Sequence, residues 1–265
     1  MLNPVIRQLA DNAARFRTHV CVGLDPDIKK LPDGFLPTVD GVGAFLREVI
    51  KASAGLCIAY KPNISFFEAL GIPGLALLAD LRADCPAGVP WIIDAKRGDI
   101  GNTSAMQARF LFDQLGADAV TLHPYMGEDS VAPFFDYRDK LSFVLALTSN
   151  PGAATFEKLK MASGATVWET VVSQCVKWHE QWGNLGLVVG GTQGELRDVR
   201  AVAGRLPFLI PGVGAQGAAY SDVQSVAAVD GHVAVINMSR SVLYCDSSHH
   251  FAQSIRDELG KFRAI

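Results

Sequence analysis

A single (β/α)8 TIM barrel with an extra N-terminal helix is the fold class the sequence predicts, on three observations. Eight short apolar runs rich in β-branched residues alternate with amphipathic stretches long enough to be crossover helices, which is the pattern of βαβ units on a parallel sheet. Polar and charged residues gather just past almost every run, where open and closed α/β sheets bind their ligands. No shift of composition and no low-complexity linker divides the 265 residues, so 1–265 reads as one domain. A doubly wound open sheet is the runner-up, since it is built from the same units.

In chain order, Met1 to Thr18 forms a helix outside the eightfold pattern. The strands follow as Val20 to Leu24, Leu56 to Tyr60, Trp91 to Ile93, Ala119 to Leu122, Phe143 to Leu147, Leu187 to Val189, Phe208 to Ile210 and Val233 to Ile236. Helical periodicity marks Val42 to Ala54, Gly74 to Asp84, Thr103 to Leu115, Thr166 to Trp182, Gln193 to Ala203 and His249 to Phe262. The fourth and seventh crossovers, around Val131 to Phe135 and Gly217 to Ala228, carry weaker signals. A longer loop containing Pro151-Gly152 follows Asn150.

Composition narrows the function classes. A hydrophobic share of 49% supports a full core, and a formal charge of −3 leaves no basic stripe for nucleic acid, so an anionic ligand must be held by local positive charge. The five cysteines are dispersed, odd in number and without a C-x-x-C pair, which predicts reduced thiols. No apolar run approaches the roughly 18 to 20 residues of a membrane span, and the N-terminus lacks a charged segment followed by an apolar one. A cytoplasmic protein with no membrane partner is the expectation.

The strand ends carry the chemistry. Asp94-Ala-Lys96-Arg97-Gly98-Asp99-Ile100 places two carboxylates and an ammonium within six residues, just after Trp91-Ile92-Ile93. Strand periodicity puts Asp94 and Lys96 on one side, and a turn at Gly98 lets Asp99 return to the same pocket or reach a neighbouring subunit. The plain alternative is a charged, solvated βα loop. Lys61 follows the buried run Cys57 to Tyr60, and its desolvation calls for a carboxylate partner or a ligand. Asp25 and Asp94 are the natural partners, giving an alternating array of Asp25, Lys61, Asp94, Lys96 and Asp99. Pro211-Gly-Val-Gly-Ala-Gln216-Gly follows strand seven and Ser239-Arg240-Ser241 strand eight. Barrels often bind phosphate with these two loops, through backbone N–H groups and an arginine fork. Gly212 and Gly214 also suit a tight turn, and Gln216 either bridges a phosphate and a base or merely opens a helix. His123, alone before Pro124, reads as structural. The chain shows no Ser-His-Asp order, no H-E-x-x-H and no Cys/His cluster, which disfavours triad hydrolysis and zinc chemistry.

With D-A-K-R-G-D-I at 94–100, P-G-V-G-A-Q-G at 211–217, Gly23-Leu24-Asp25, Lys61 and Arg240 in this order, the chain resembles the orotidine 5'-phosphate decarboxylases, in particular a bacterial subgroup. The resemblance spans all eight strands. It implies decarboxylation of orotidine 5'-monophosphate to UMP, the last step of de novo pyrimidine synthesis, with no cofactor, no metal and a homodimer that shares its active sites. It further implies that Asp25 and Lys61 contact ribose hydroxyls, that Asp94 sits beside the substrate carboxylate, and that Lys96 gives a proton to C6. Asp99 and Ile100 would come from the second subunit, with Thr103 near the ribose. Ser149 would contact the pyrimidine, Pro211 and Gln216 would cover base and phosphate, and Arg240 would clamp the phosphate. The N-terminal helix and the segment from Asp27 to Asp40 are additions relative to shorter members. A sister group of Mg2+-dependent sugar-phosphate synthases and decarboxylases shares D-x-K-x-x-D but carries an acidic residue where this chain has Lys61, so that lysine argues against metal. A non-catalytic barrel that only binds a nucleotide phosphate is the other alternative, disfavoured because every array member is present.

Overall fold

The computed structural model describes residues 2–190, 192–212, 220–228 and 231–263. In chain order the elements are α1 (Pro4–Phe16), β1 (Val20–Leu24), α2 (Val39–Ser53), β2 (Ala59–Pro62), α3 (Ile64–Glu68), α4 (Gly71–Asp84), β3 (Ile92–Arg97), α5 (Gly101–Arg109), β4 (Ala119–Leu122), α6 (Ala132–Phe135), β5 (Leu141–Leu147), α7 (Val167–Trp182), β6 (Leu185–Val189), α8 (Gln193–Ala203), β7 (Phe208–Pro211), α9 (Tyr220–Ala227), β8 (Ala234–Met238), α10 (Arg240–Leu243) and α11 (Phe251–Gly260).

The strands run parallel in the order β2-β1-β8-β7-β6-β5-β4-β3. The two ends of that order meet through the parallel bridges Tyr60↔Trp91 and Asn63↔Asp94, and the Tyr60 N–H donates to the Pro90 carbonyl at 3.0 Å. That seam selects the barrel over the doubly wound sheet, which would leave two unpaired edges. β1, β6 and β8 are buried along their whole length because one face looks into the barrel and the other onto helices.

The extra helix has a definite job. Val5, Ile6 and Leu9 of α1 pack against Cys21, Ala59, Ile92, Ala119, Leu141, Val188, Leu209 and Val235, one residue from each strand, so α1 plugs the N-terminal end of the barrel. Asn3 starts it, its Oδ1 accepting from the N–H groups of Val5 (3.0 Å) and Ile6 (3.2 Å), with Pro4 in the first turn. Asn12 then ties the helix to the barrel rim by donating to the carbonyls of Ile58 (3.2 Å) and Gly88 (2.8 Å). With one end closed in this way, the opposite end is left for a ligand.

Six of the eight strands have bounds that differ from the sequence reading, and the differences in β2 and β3 bear on function. Leu56 to Ile58 only lead into the barrel, and the β2 ladder covers Ala59–Pro62, so Lys61 stands inside a strand. β3 extends to Arg97, which puts Asp94 and Lys96 inside the strand as well and not in a solvated loop beyond it. α5 gives way at Phe110 to a π-helical turn through Gln114, within the predicted Thr103 to Leu115. Among the described residues no helix is long and apolar enough to cross a membrane. The five cysteines are free thiols, and all but Cys245 are buried.

Candidate active site

A cavity of about 390 Å³ opens at the C-terminal ends of the strands. Its wall contains Asp25 just past β1, Lys61 and Asn63 from β2 and its end, Asp94 from β3, Pro211 and Gly212 at the end of β7, and Asn237, Ser239 and Arg240 from β8 and its loop. Five of the eight strands therefore contribute, which no local stretch of sequence can do alone.

Charge pairing organises the floor. The Lys61 side chain is 3% exposed, and its Nζ lies 3.3 Å from Asp94 Oδ2, while Lys96 Nζ lies 2.6 Å from Asp94 Oδ1. Burial by itself would drive Lys61 toward its neutral form, but the charges of Asp25 and Asp94 outweigh it and hold the ammonium above its usual range. Burial would likewise raise Asp94, yet Lys61 and Lys96 together pull its carboxyl well below the usual carboxylate range. A depressed folded-state value means that ionised Asp94 favours the folded chain at every pH above about 4, the unfolded range, and that this contribution fades as pH falls below it. Lys61→Met removes one of the two positive charges that depress Asp94. The acid limb of the kcat/KM profile should then move to higher pH, and an unmoved limb would show that Lys61 does not set the ionisation of Asp94.

Lys96 reaches Asp94 by a route that strand periodicity misses. Pairing of β3 with β4 runs from Ile93↔Val120 to Arg97↔Leu122, four steps on β3 (97 − 93) against two on β4 (122 − 120), so two extra residues bulge out. Within that bulge Lys96 has φ +45°, a left-handed conformation unusual for a residue with a long side chain. Alternation is broken there, and the two side chains meet because the backbone turns.

Asp25 is held on both oxygens. Oδ1 accepts from the Asn63 N–H at 3.1 Å and Oδ2 from the Ser239 hydroxyl at 2.6 Å. Gly23 makes room for this pair, since a Cβ at that position would stand 2.7 Å from Ser239 Cβ. Asn237 Oδ1 is buried beside the same glycine with no hydrogen-bond partner among the described residues.

The remaining predicted residues are placed as follows. Lys96, half exposed, and Asp99 both stay out of the cavity wall; Lys96 joins it through Asp94, whereas Asp99 forms no ion pair among the described residues, its Oδ1 accepting from the Ile100 N–H at 2.7 Å. The continuous five-member array of the sequence reading is thus cut to Asp25, Lys61, Asp94 and Lys96 within one chain. Ile100 is 61% exposed at the start of α5, and Thr103 is exposed one turn later. Ser149 is exposed just past β5, close against Gly190, and lies outside the cavity wall. Pro211 and Arg240 line the cavity, both exposed, with Arg240 opening α10. Gln216 lies outside the described residues. His123 is structural: its N–H donates to the Arg97 carbonyl at 3.0 Å and its ring abuts Gly98. Among the described residues no group of His, Cys, Asp and Glu is placed to hold a metal ion.

Thr121 escapes the sequence reading. Its only signal is a lone hydroxyl within the apolar run Ala119 to Leu122, on a strand adjacent to the charged one. Asn63 and Ser239 are visible as polar strand-end residues, but nothing in the sequence pairs them with Asp25.

Comparison with known proteins places the whole chain in a family. The family model described as Orotidine 5'-phosphate decarboxylase / HUMPS family matches residues 18–251. The orotidine 5'-phosphate decarboxylase of Herpetosiphon aurantiacus is 42% identical over 241 residues, covering 91% of this chain and 89% of its own. That of Phocaeicola vulgatus is 40% identical over 262 residues, covering 97% and 96%. The solved OMP decarboxylase of Leishmania donovani superposes with a TM-score of 0.83 at 33% identity, covering 99% of each chain. A barrel whose cavity wall joins Asp25, Lys61 and Asp94 to an arginine just past β8, with matches of this depth over nearly the whole chain, belongs to the orotidine 5'-phosphate decarboxylase / HUMPS family.

Proposed function

We propose a division of labour among these residues for the decarboxylation of orotidine 5'-monophosphate to UMP in pyrimidine biosynthesis, the reaction that the family and its relatives assign to the chain. Loss of CO2 from C6 leaves an electron pair in an sp2 orbital that the ring delocalises poorly, so the site must supply positive charge where that pair develops. Lys96 supplies it and then gives its proton to C6. Asp94 lies against the departing carboxylate and, through Oδ1, holds the Lys96 ammonium. Lys61 and Asp25 bind the ribose hydroxyls, with Asp25 kept in place by Ser239 and Asn63. Arg240 and the loop after β7, including Pro211 and Gln216, bind the phosphate, and Ser149 addresses the pyrimidine. No cofactor is needed, because the cations are side chains.

The single observation that carries this reading is one carboxylate, Asp94, gripped by a different lysine on each oxygen in the cavity wall. Loss of absorbance on adding orotidine 5'-monophosphate tests it directly. Activity should persist after exhaustive EDTA treatment, since Lys61 occupies the position where the Mg2+-dependent sister group needs an acid. A strict Mg2+ requirement would overturn the assignment. Neither that sister-group alternative nor a non-catalytic barrel finds support among the relatives.

A homodimer with shared sites completes the proposal. Supporting it, Ile100, Met106 and Phe110 at and just after α5, and Tyr125 and Met126 in the loop after β4, are exposed apolar residues, and Asp99 beside Ile100 has no ion pair in its own chain among the described residues. A second copy docked there would bring Asp99, Ile100 and Thr103 to the neighbouring cavity. A cytoplasmic location accords with the free thiols.

A further inference from the structure

The bulge in β3 raises a physical question: what satisfies its backbone groups, and what stops Lys96 from relaxing out of its left-handed conformation. Two residues inserted into a parallel ladder leave N–H groups without strand partners, and buried donors of that kind must be satisfied elsewhere. Here both go to one atom. The N–H groups of Ala95 and Lys96 each donate to Thr121 Oγ1 at 2.9 Å. A hydroxyl has two lone pairs and one hydrogen, so with both lone pairs engaged its hydrogen has a single use left, and it goes to Asp94 Oδ1 at 2.8 Å. That same oxygen takes the Lys96 ammonium at 2.6 Å. The contacts close a ring, from the Lys96 backbone through Thr121 and Asp94 to the Lys96 side chain.

We propose that Thr121 is a positioning residue for this reaction, its hydroxyl locking the β3 bulge and the Asp94 carboxylate to each other so that the Lys96 ammonium is delivered to one point in the cavity. Thr121 is 1% exposed and its hydroxyl is fully engaged by the Ala95 and Lys96 N–H groups and Asp94, so it acts through Asp94 and Lys96 and not on the substrate. The inference rests on the catalytic reading of Lys96 given above.

Thr121→Val keeps the shape and removes all three hydrogen bonds; Thr121→Ser keeps the hydroxyl. A loss of aim of the order of 1 Å costs about a hundredfold, so Thr121→Val should lower kcat by about that factor while KM changes by less than about threefold, and Thr121→Ser should stay within about threefold of wild type in both. The acid limb of kcat/KM should rise in Thr121→Val alone, Asp94 being faced otherwise by Lys61 from β2, Lys96 on its own strand and Cys21 from β1. Amide exchange gives a readout independent of turnover: the Ala95 and Lys96 amides should be protected in wild type and Thr121→Ser and exchange faster in Thr121→Val. Wild-type kcat in a folded Thr121→Val overturns the proposal, as does equal loss in the serine and valine variants. If the valine variant does not fold, unprotected Ala95 and Lys96 amides in the wild type overturn it, and protected amides with near-normal kinetics in the serine variant uphold it. A wild-type chain inert toward orotidine 5'-monophosphate would instead refute the catalytic reading and leave the exchange result standing.

Discussion

Lys96→Ala is expected to leave phosphate-anchored binding of the substrate largely in place and to abolish nearly all turnover. The proposed anchors that the structure describes, Pro211, Gly212 and Arg240, line the cavity from β7 and past β8 and are untouched by the change. What disappears is the charge facing C6 and the proton that ends the reaction, both needed most in the transition state. A loss confined to the transition state appears in kcat and kcat/KM together. Product binding by calorimetry and steady-state kinetics check it side by side. Retention of kcat within about tenfold of wild type, a barrier change of only about 1.4 kcal/mol, would remove Lys96 from its role.

Complementation between two inactive variants is the second large effect. If each cavity takes Lys96 from one copy and Asp99 from the other, homodimers of Lys96→Ala and of Asp99→Ala each carry two defective sites and should both be nearly inactive. A hybrid of one Lys96→Ala chain and one Asp99→Ala chain gathers both defects in one site and leaves the other intact, so a purified heterodimer should recover about half the wild-type activity. The structural ground is that Asp99 makes no ion pair with its own chain among the described residues and adjoins the exposed Ile100. An inactive heterodimer of verified composition would mean that Asp99 works within its own subunit or not at the site.

Much of this site is legible in the amino-acid sequence. Lys61 stands out because an ammonium after four buried residues must find a carboxylate, and in the fold it finds Asp94. Arg240 and Pro211 stand out because barrels collect ligand-binding groups past β7 and β8. The path of Lys96 is not legible. Strand alternation predicts the right neighbour, Asp94, for the wrong reason, since the two extra residues of β3 become visible only when β4 is laid beside it. The role of Thr121 and the pairing of Ser239 with Asp25 stay hidden for the same cause. Each hydroxyl acts through a partner 27 or 214 positions away in the chain, and a lone hydroxyl carries no sign of which carboxylate it will meet.

The sequence by itself determined the eight strands, most of their crossovers, the presence of an extra N-terminal helix and the charges offered at one end of the barrel, because periodicity and burial act over a few residues at a time. Only the tertiary structure decided that the sheet closes at Tyr60 and Trp91, that Asp25 is held from β8 while Lys61 reaches across to β3, and that Asp99 stands outside the cavity wall of its own chain. Hydrogen bonds and ion pairs reach only about 3 to 4 Å, and it is closure of the barrel that brings residues from opposite ends of the chain within that range.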